Sequence, residues 1–144
     1  NFGASQYLRV KESYYKAIIY GTVIMIIAGS IIFLSADRIV SIFTNDVVVM
    51  SYRTSYLKIS ALIFPAYPIY FISNGFFMAL KKASYAMNLN IIRNVLLPIP
   101  TIFFANFIGG SYKNFFWSYC LFNWIFVILL ITFVSIYIKN KLNS

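Results

Sequence analysis

The chain has 144 residues, 61% of them apolar and 10% charged, with a mean hydropathy of +0.79. Soluble domains carry about a quarter charged residues and about half apolar ones, so a water-soluble globule is excluded, and intrinsic disorder with it. Twelve Lys and Arg against three Asp and Glu leave a formal +9, which here marks the flanks of membrane spans and gives no argument for nucleic acid as a partner.

The inventory limits the chemistry as well. With no His, imidazole proton relays, Ser-His-Asp triads and His-ligated metals are out of reach. The lone Cys120 forms no intrachain disulfide and no thiolate metal cluster. Glu12, Asp37 and Asp46 are the only acids, all in polar stretches, so no pair of carboxylates is available for acid–base work. Neither an enzyme nor a resident metal or cofactor is expected.

Charged residues divide the chain into four uncharged windows of 19 to 25 residues. Helices of that length run roughly 28 to 38 Å, against a hydrocarbon core of about 30 Å. Residues 1–16 read as a loop leading into the first span, and 17–144 as a four-helix membrane segment. The first span, 17–36, carries small residues at Ala17, Gly21 and Ala28-Gly29-Ser30, which permit close helix approach. Thr44-Asn45-Asp46 then predicts an N-cap, with a helix starting near Val47.

The second span, 57–80, holds Pro65 and Pro68, each of which removes a backbone donor and clashes with the preceding turn. Beyond them Tyr67, Tyr70, Asn74 and Met78 follow at steps of three and four and share one face, flanked by Phe71 and Phe77. Ring faces attract positive charge, an Asn supplies a dipole and a Met adapts its shape, so this face suits the lining of a cavity for organic cations. The simpler reading of the same face is a helix–helix packing seam with one interhelical Asn hydrogen bond.

The third span, 88–108, opens on Asn88, Asn90, Arg93 and Asn94 and continues into Pro98 and Pro100, a second pair of expected kinks. Arg93 lies inside the span, where a charge must snorkel, pair or face water; snorkelling to the nearer surface is the simplest account. Gly109-Gly110 ends that helix. The fourth span, 115–138, carries Asn123, read as an interhelical hydrogen-bonding group, and a short basic tail, Lys139–Ser144, follows. Eight of the twelve basic residues fall on one side of these spans, which predicts a cytoplasmic location for both ends of the segment.

Several short segments resemble the multidrug and toxic compound extrusion (MATE) family. They are Asn1-Phe2-Gly3-Ala4-Ser5-Gln6-Tyr7 with Arg9-Val10-Lys11, then Ile42-Phe43-Thr44-Asn45-Asp46, Phe64-Pro65, Asn74-Gly75-Phe76-Phe77, Ala79-Leu80-Lys81, and Arg93 followed by Pro98-Ile99-Pro100. The resemblance implies an all-α membrane protein: the last four helices of a twelve-helix transporter, within its C-terminal six-helix lobe. It implies a secondary antiporter in the plasma membrane that exports organic cations or amphipathic xenobiotics in exchange for Na⁺ or H⁺. Partners would be the bilayer, the substrate and the N-terminal lobe, with alternating access about a central cavity.

This chain departs from the family pattern in three places. Val47-Val48-Val49 follow Asp46 where Pro and an acid are common, which predicts a looser cap. Lys81 stands where the exit pattern has Gly, and the position of a coupling Asp in some members falls near Tyr67. No coupling carboxylate is therefore expected in this segment; it would lie in the missing N-terminal lobe. Two alternatives remain: a lipid-linked oligosaccharide flippase of the same superfamily, which needs a more cationic cavity, and a stand-alone four-helix assembly or structural protein.

Overall fold

In a bilayer every backbone N–H and C=O must find its partner within the spanning segment, and a run of apolar side chains is solvated by lipid whichever way it faces. The computed structural model describes residues 7–141, and among them every regular element is helical. In chain order these are α1 (Tyr7–Ser41), α2 (Val47–Ile63), α3 (Ala66–Ala79), α4 (Ala83–Ile91), a π turn (Ile92–Leu96), α5 (Pro98–Phe107) and α6 (Tyr112–Lys141). Three helices are long and apolar enough to cross a membrane: Leu8–Ser41, Ala83–Phe107 and Tyr112–Asn140. The bent pair α2–α3 makes a fourth if it is one broken span.

The first helix corrects the boundary read from sequence. Residues 7–16 are helical rather than a loop, while residues 1–6 lie outside the described part. Charge does not stop a helix that continues past the apolar core, and Glu12 and Lys16, one turn apart, meet at 2.6 Å. The next helix starts at Val47 as the cap pattern predicts. Asp46 Oδ1 accepts from the Val48 and Val49 N–H groups at 2.8 and 3.1 Å, so the three valines do not loosen the cap.

Two glycines set how closely α1 packs. A Cβ on Gly29 would stand 2.8 Å from the Ala61 carbonyl oxygen, and one on Gly21 would stand 2.9 Å from the Pro68 Cβ. With lipid outside as apolar as leucine, such backbone approach supplies the dispersion contact that holds spans together. Tyr14 shares a hydrogen bond with Ser73 on α3 (2.8 Å), and its neighbour Tyr15 shares one with Ser135 on α6 (2.9 Å). Phe77, fully buried, packs its ring against Tyr85 and Tyr137. It belongs to the core and does not flank the α3 face to which the sequence pattern assigned it.

The α3 exit is a Schellman turn: Lys82 N–H reaches the Phe77 carbonyl at 2.9 Å and Lys81 N–H reaches Met78 at 3.0 Å. Lys81 carries φ +59° there, a conformation that glycine adopts freely and a Cβ penalises. Asn123 also departs from its reading, donating to the Tyr119 carbonyl on its own helix (3.0 Å). The interhelical bond belongs to Trp124, whose indole N–H reaches the Leu62 carbonyl at 3.2 Å.

Candidate functional site

The four prolines fall into two pairs, and each pair sits at a helix start. Pro65 lies at the junction of α2 and α3, where the axis turns by 47°; Pro68 follows in the first turn of α3, where its missing N–H deprives no carbonyl of that helix. Pro98 is the first residue of α5 and Pro100 the third. The structure therefore has one interruption per pair rather than a kink at each proline.

Ahead of Pro98 the chain makes a π turn. Leu97 N–H, which in a regular helix would bond to the Arg93 carbonyl, reaches Ile92 at 2.8 Å instead. Widening the turn by one residue moves the proline ring off the carbonyl one turn back, where it would otherwise collide. Ala83–Phe107 consequently still counts as one candidate span of 25 residues.

Arg93 lies on this turn, ten residues or roughly 15 Å along the helix from Ala83. It does not snorkel. The side chain is 9% exposed, while Ile92, Asn94, Val95 and Leu96 around it are exposed. Its guanidinium carbon stands 4.0 Å from the centre of the Tyr70 ring, 4.9 Å from Tyr67 and 5.8 Å from Phe71. Three aromatic residues of the face singled out in the sequence thus surround a cation that belongs to the protein itself. Each such contact contributes about 0.5–2 kcal/mol, whereas removing a guanidinium from water costs several kcal/mol.

No carboxylate side chain makes up the difference. Glu12 pairs with Lys16, Asp37 with Lys58 at 2.8 Å, and Asp46 caps α2. Among the described residues, no hydrogen bond or ion pair engages the Arg93 donors. Tyr70 is itself held in place: its hydroxyl donates to Asn90 Oδ1, and the Asn90 amide donates to the Ala86 carbonyl at 2.9 Å. Asn90 and Arg93, three residues apart on one helix face, thus hold the rim and the face of one ring.

The remaining members of the expected face separate from this cluster. Asn74 is half-buried about one turn beyond Tyr70, and Met78 is exposed another turn on. No hydrogen bond, ion pair or ring contact joins either to Arg93 among the described residues.

The MatE family model matches residues 1–104. The chain belongs to the MatE family. No curated protein and no solved structure matches it. MatE proteins are transporters and not enzymes. The match covers α1 to α4 and most of α5, and so contains the whole Arg93 cluster; α6 lies beyond it.

Sequence reasoning found the rings of this cluster and singled out Arg93, but sent its charge to the nearer surface. A usable signal was present. Ala86, Leu89, Arg93, Leu97, Thr101 and Ala105 recur at steps of three and four, and all are buried. Arg93 stands on the inward stripe of its helix, among residues too small or too apolar to be read as its solvated side.

Proposed function

We propose that this chain is part of a secondary antiporter that exports organic cations or amphipathic xenobiotics in exchange for Na⁺ or H⁺. The observation that carries the reading is the pairing of two interrupted spans around a buried charge. Unwound or broken helices are tolerated at membrane depth where they adjoin a wet cavity or a binding site. A charge near the middle of a span marks a substrate or ion pathway.

On this reading the four spans form part of the C-terminal lobe of a twelve-helix transporter in the plasma membrane, with both ends of the segment cytoplasmic. The α3 face with Tyr67, Tyr70, Phe71, Asn74 and Met78 lines the C-lobe side of the cavity, and the coupling carboxylate lies in the N-terminal lobe. The excess of basic residues on one side of the spans supports the orientation. Glu12, Asp37 and Asp46, all occupied outside the Arg93 cluster, support the assignment of coupling to the other lobe.

The test is gradient-driven transport by the full-length protein in proteoliposomes. An imposed Na⁺ or pH gradient should drive uphill movement of an amphipathic dye, and collapse of that gradient should stop it. Dye movement indifferent to both gradients would overturn antiport.

A further inference from the structure

We propose that Arg93 is a substrate-docking residue that makes the C-lobe face of the cavity selective for the anionic headgroup of an amphipathic molecule, a carboxylate, sulfonate or phosphate. The inference rests on the antiporter reading and narrows its substrate class. A guanidinium over an aromatic face occupies that face against a second cation. Here Tyr67, Tyr70 and Phe71 already hold a guanidinium, at 4.9, 4.0 and 5.8 Å. A second cation at this place meets like charge where screening is weak.

What the rings leave unsatisfied is the edge of the guanidinium. Its planar fork carries five N–H donors that match a carboxylate or phosphate in bidentate geometry. The chain's three acidic side chains are occupied elsewhere, and among the described residues nothing accepts from Arg93. The residue is 9% exposed, yet none of its nitrogens is fully enclosed, so the fork keeps an opening through which an acceptor can reach it. Asn90, by fixing Tyr70, keeps the ring face and the guanidinium in register.

The geometry assigns each part a task. Arg93 binds the headgroup through its fork, and the three rings hold the guanidinium plane.

Two probes of equal size and opposite charge test this: 6-(dansylamino)hexanoate and the corresponding dansylaminohexyl trimethylammonium. Binding is measured by dansyl fluorescence on the purified full-length transporter, and gradient-driven uptake is measured after reconstitution. The wild type is expected to bind the carboxylate about tenfold or more tightly than the ammonium. Arg93→Gln should abolish that preference and raise ammonium affinity, because the rings are vacated. Arg93→Lys, which keeps the charge and loses the fork, should weaken carboxylate binding about tenfold.

Equal affinities for the two probes in the wild type would overturn the proposal. So would an Arg93→Lys variant that binds the carboxylate as the wild type does, and this outcome stands even if Arg93→Gln fails to fold. Gradient-driven uptake with a preference for the ammonium would sink this inference and leave antiport intact. Arg93-dependent carboxylate binding without any gradient-driven movement would do the reverse.

Discussion

Two proline pairs interrupt the helices of this chain, and the chain responds to them in opposite ways. At Pro65 the helix stops, turns by 47° and restarts as α3. At Pro98 the helix widens into a π turn and continues as a span of 25 residues. The first interruption opens backbone groups, and a neighbouring helix attends to one of them: Trp124 donates to the Leu62 carbonyl. The second stays within its own helix and carries Arg93 inward. A proline in a membrane helix therefore does not specify a bend. The outcome depends on whether the chain can add a residue to the turn ahead of the ring, and on what the neighbouring helices offer to the freed groups.

That contrast can be broken from either side. The largest effect is expected at the clamp on the bent span. Gly29→Leu forces a side chain onto the Ala61 carbonyl, which already stands 2.8 Å from the position of a Cβ. It should destabilise the full-length protein by about 2–3 kcal/mol in a denaturant titration. Wild-type stability there would mean that α1 and α2 are not held by this approach. Pro98→Ala comes next. Restoring the N–H removes the reason for the wide turn, returns the ladder to its four-residue spacing and swings Arg93 off the rings. The preference for the dansyl carboxylate should fall about tenfold, or ~1.4 kcal/mol; an unchanged preference would show that something other than Pro98 sets the π turn.

Smaller effects sharpen the comparison. Trp124→Phe keeps most of the ring and removes the donor to Leu62, for a loss of about 1 kcal/mol. Faster hydrogen exchange confined to residues 62–67 should accompany it, and exchange unchanged there would assign the bend to Pro65 alone. Lys81→Gly should act in the other direction. It relieves a side chain held at φ +59° and should stabilise the protein by about 0.5–1 kcal/mol. No gain in thermal midpoint would mean that the Schellman turn carries no penalty in this chain.

Much of the fold was legible because lipid imposes a simple rule on sequence. Four long uncharged windows and their flanking charges specify spanning helices. Asp46 specifies a cap by its chemistry alone, and Gly21 and Gly29 specify where neighbouring helices approach α1 closely. The aromatic face of α3 was equally readable, since Tyr67, Tyr70 and Phe71 are set by helical period. The inward aim of Arg93 was harder to read. Steps of four residues overrun a 3.6-residue period, so a regular wheel carries such a stripe gradually away from the face on which it began. The wider π turn absorbs part of that drift, and its presence depends on how the chain accommodates Pro98. Asn123 was misread for a simpler reason: an amide can always turn to a carbonyl of its own helix, and composition does not say which it chooses.

Tyr14 and Tyr15 are neighbours in sequence, yet their hydroxyls engage two different helices, one through Ser73 and the other through Ser135. Ser135 is 120 positions further along the chain. During synthesis the first of these bonds becomes available once α3 has emerged, but the second must wait for nearly the whole of α6. The start of α1 is thus seated in two instalments, and until α6 enters the bilayer one of its tyrosine hydroxyls has to find another partner. A chain truncated before Ser135 would retain the first anchor and lose the second, which makes α6 the helix that completes the seating of α1.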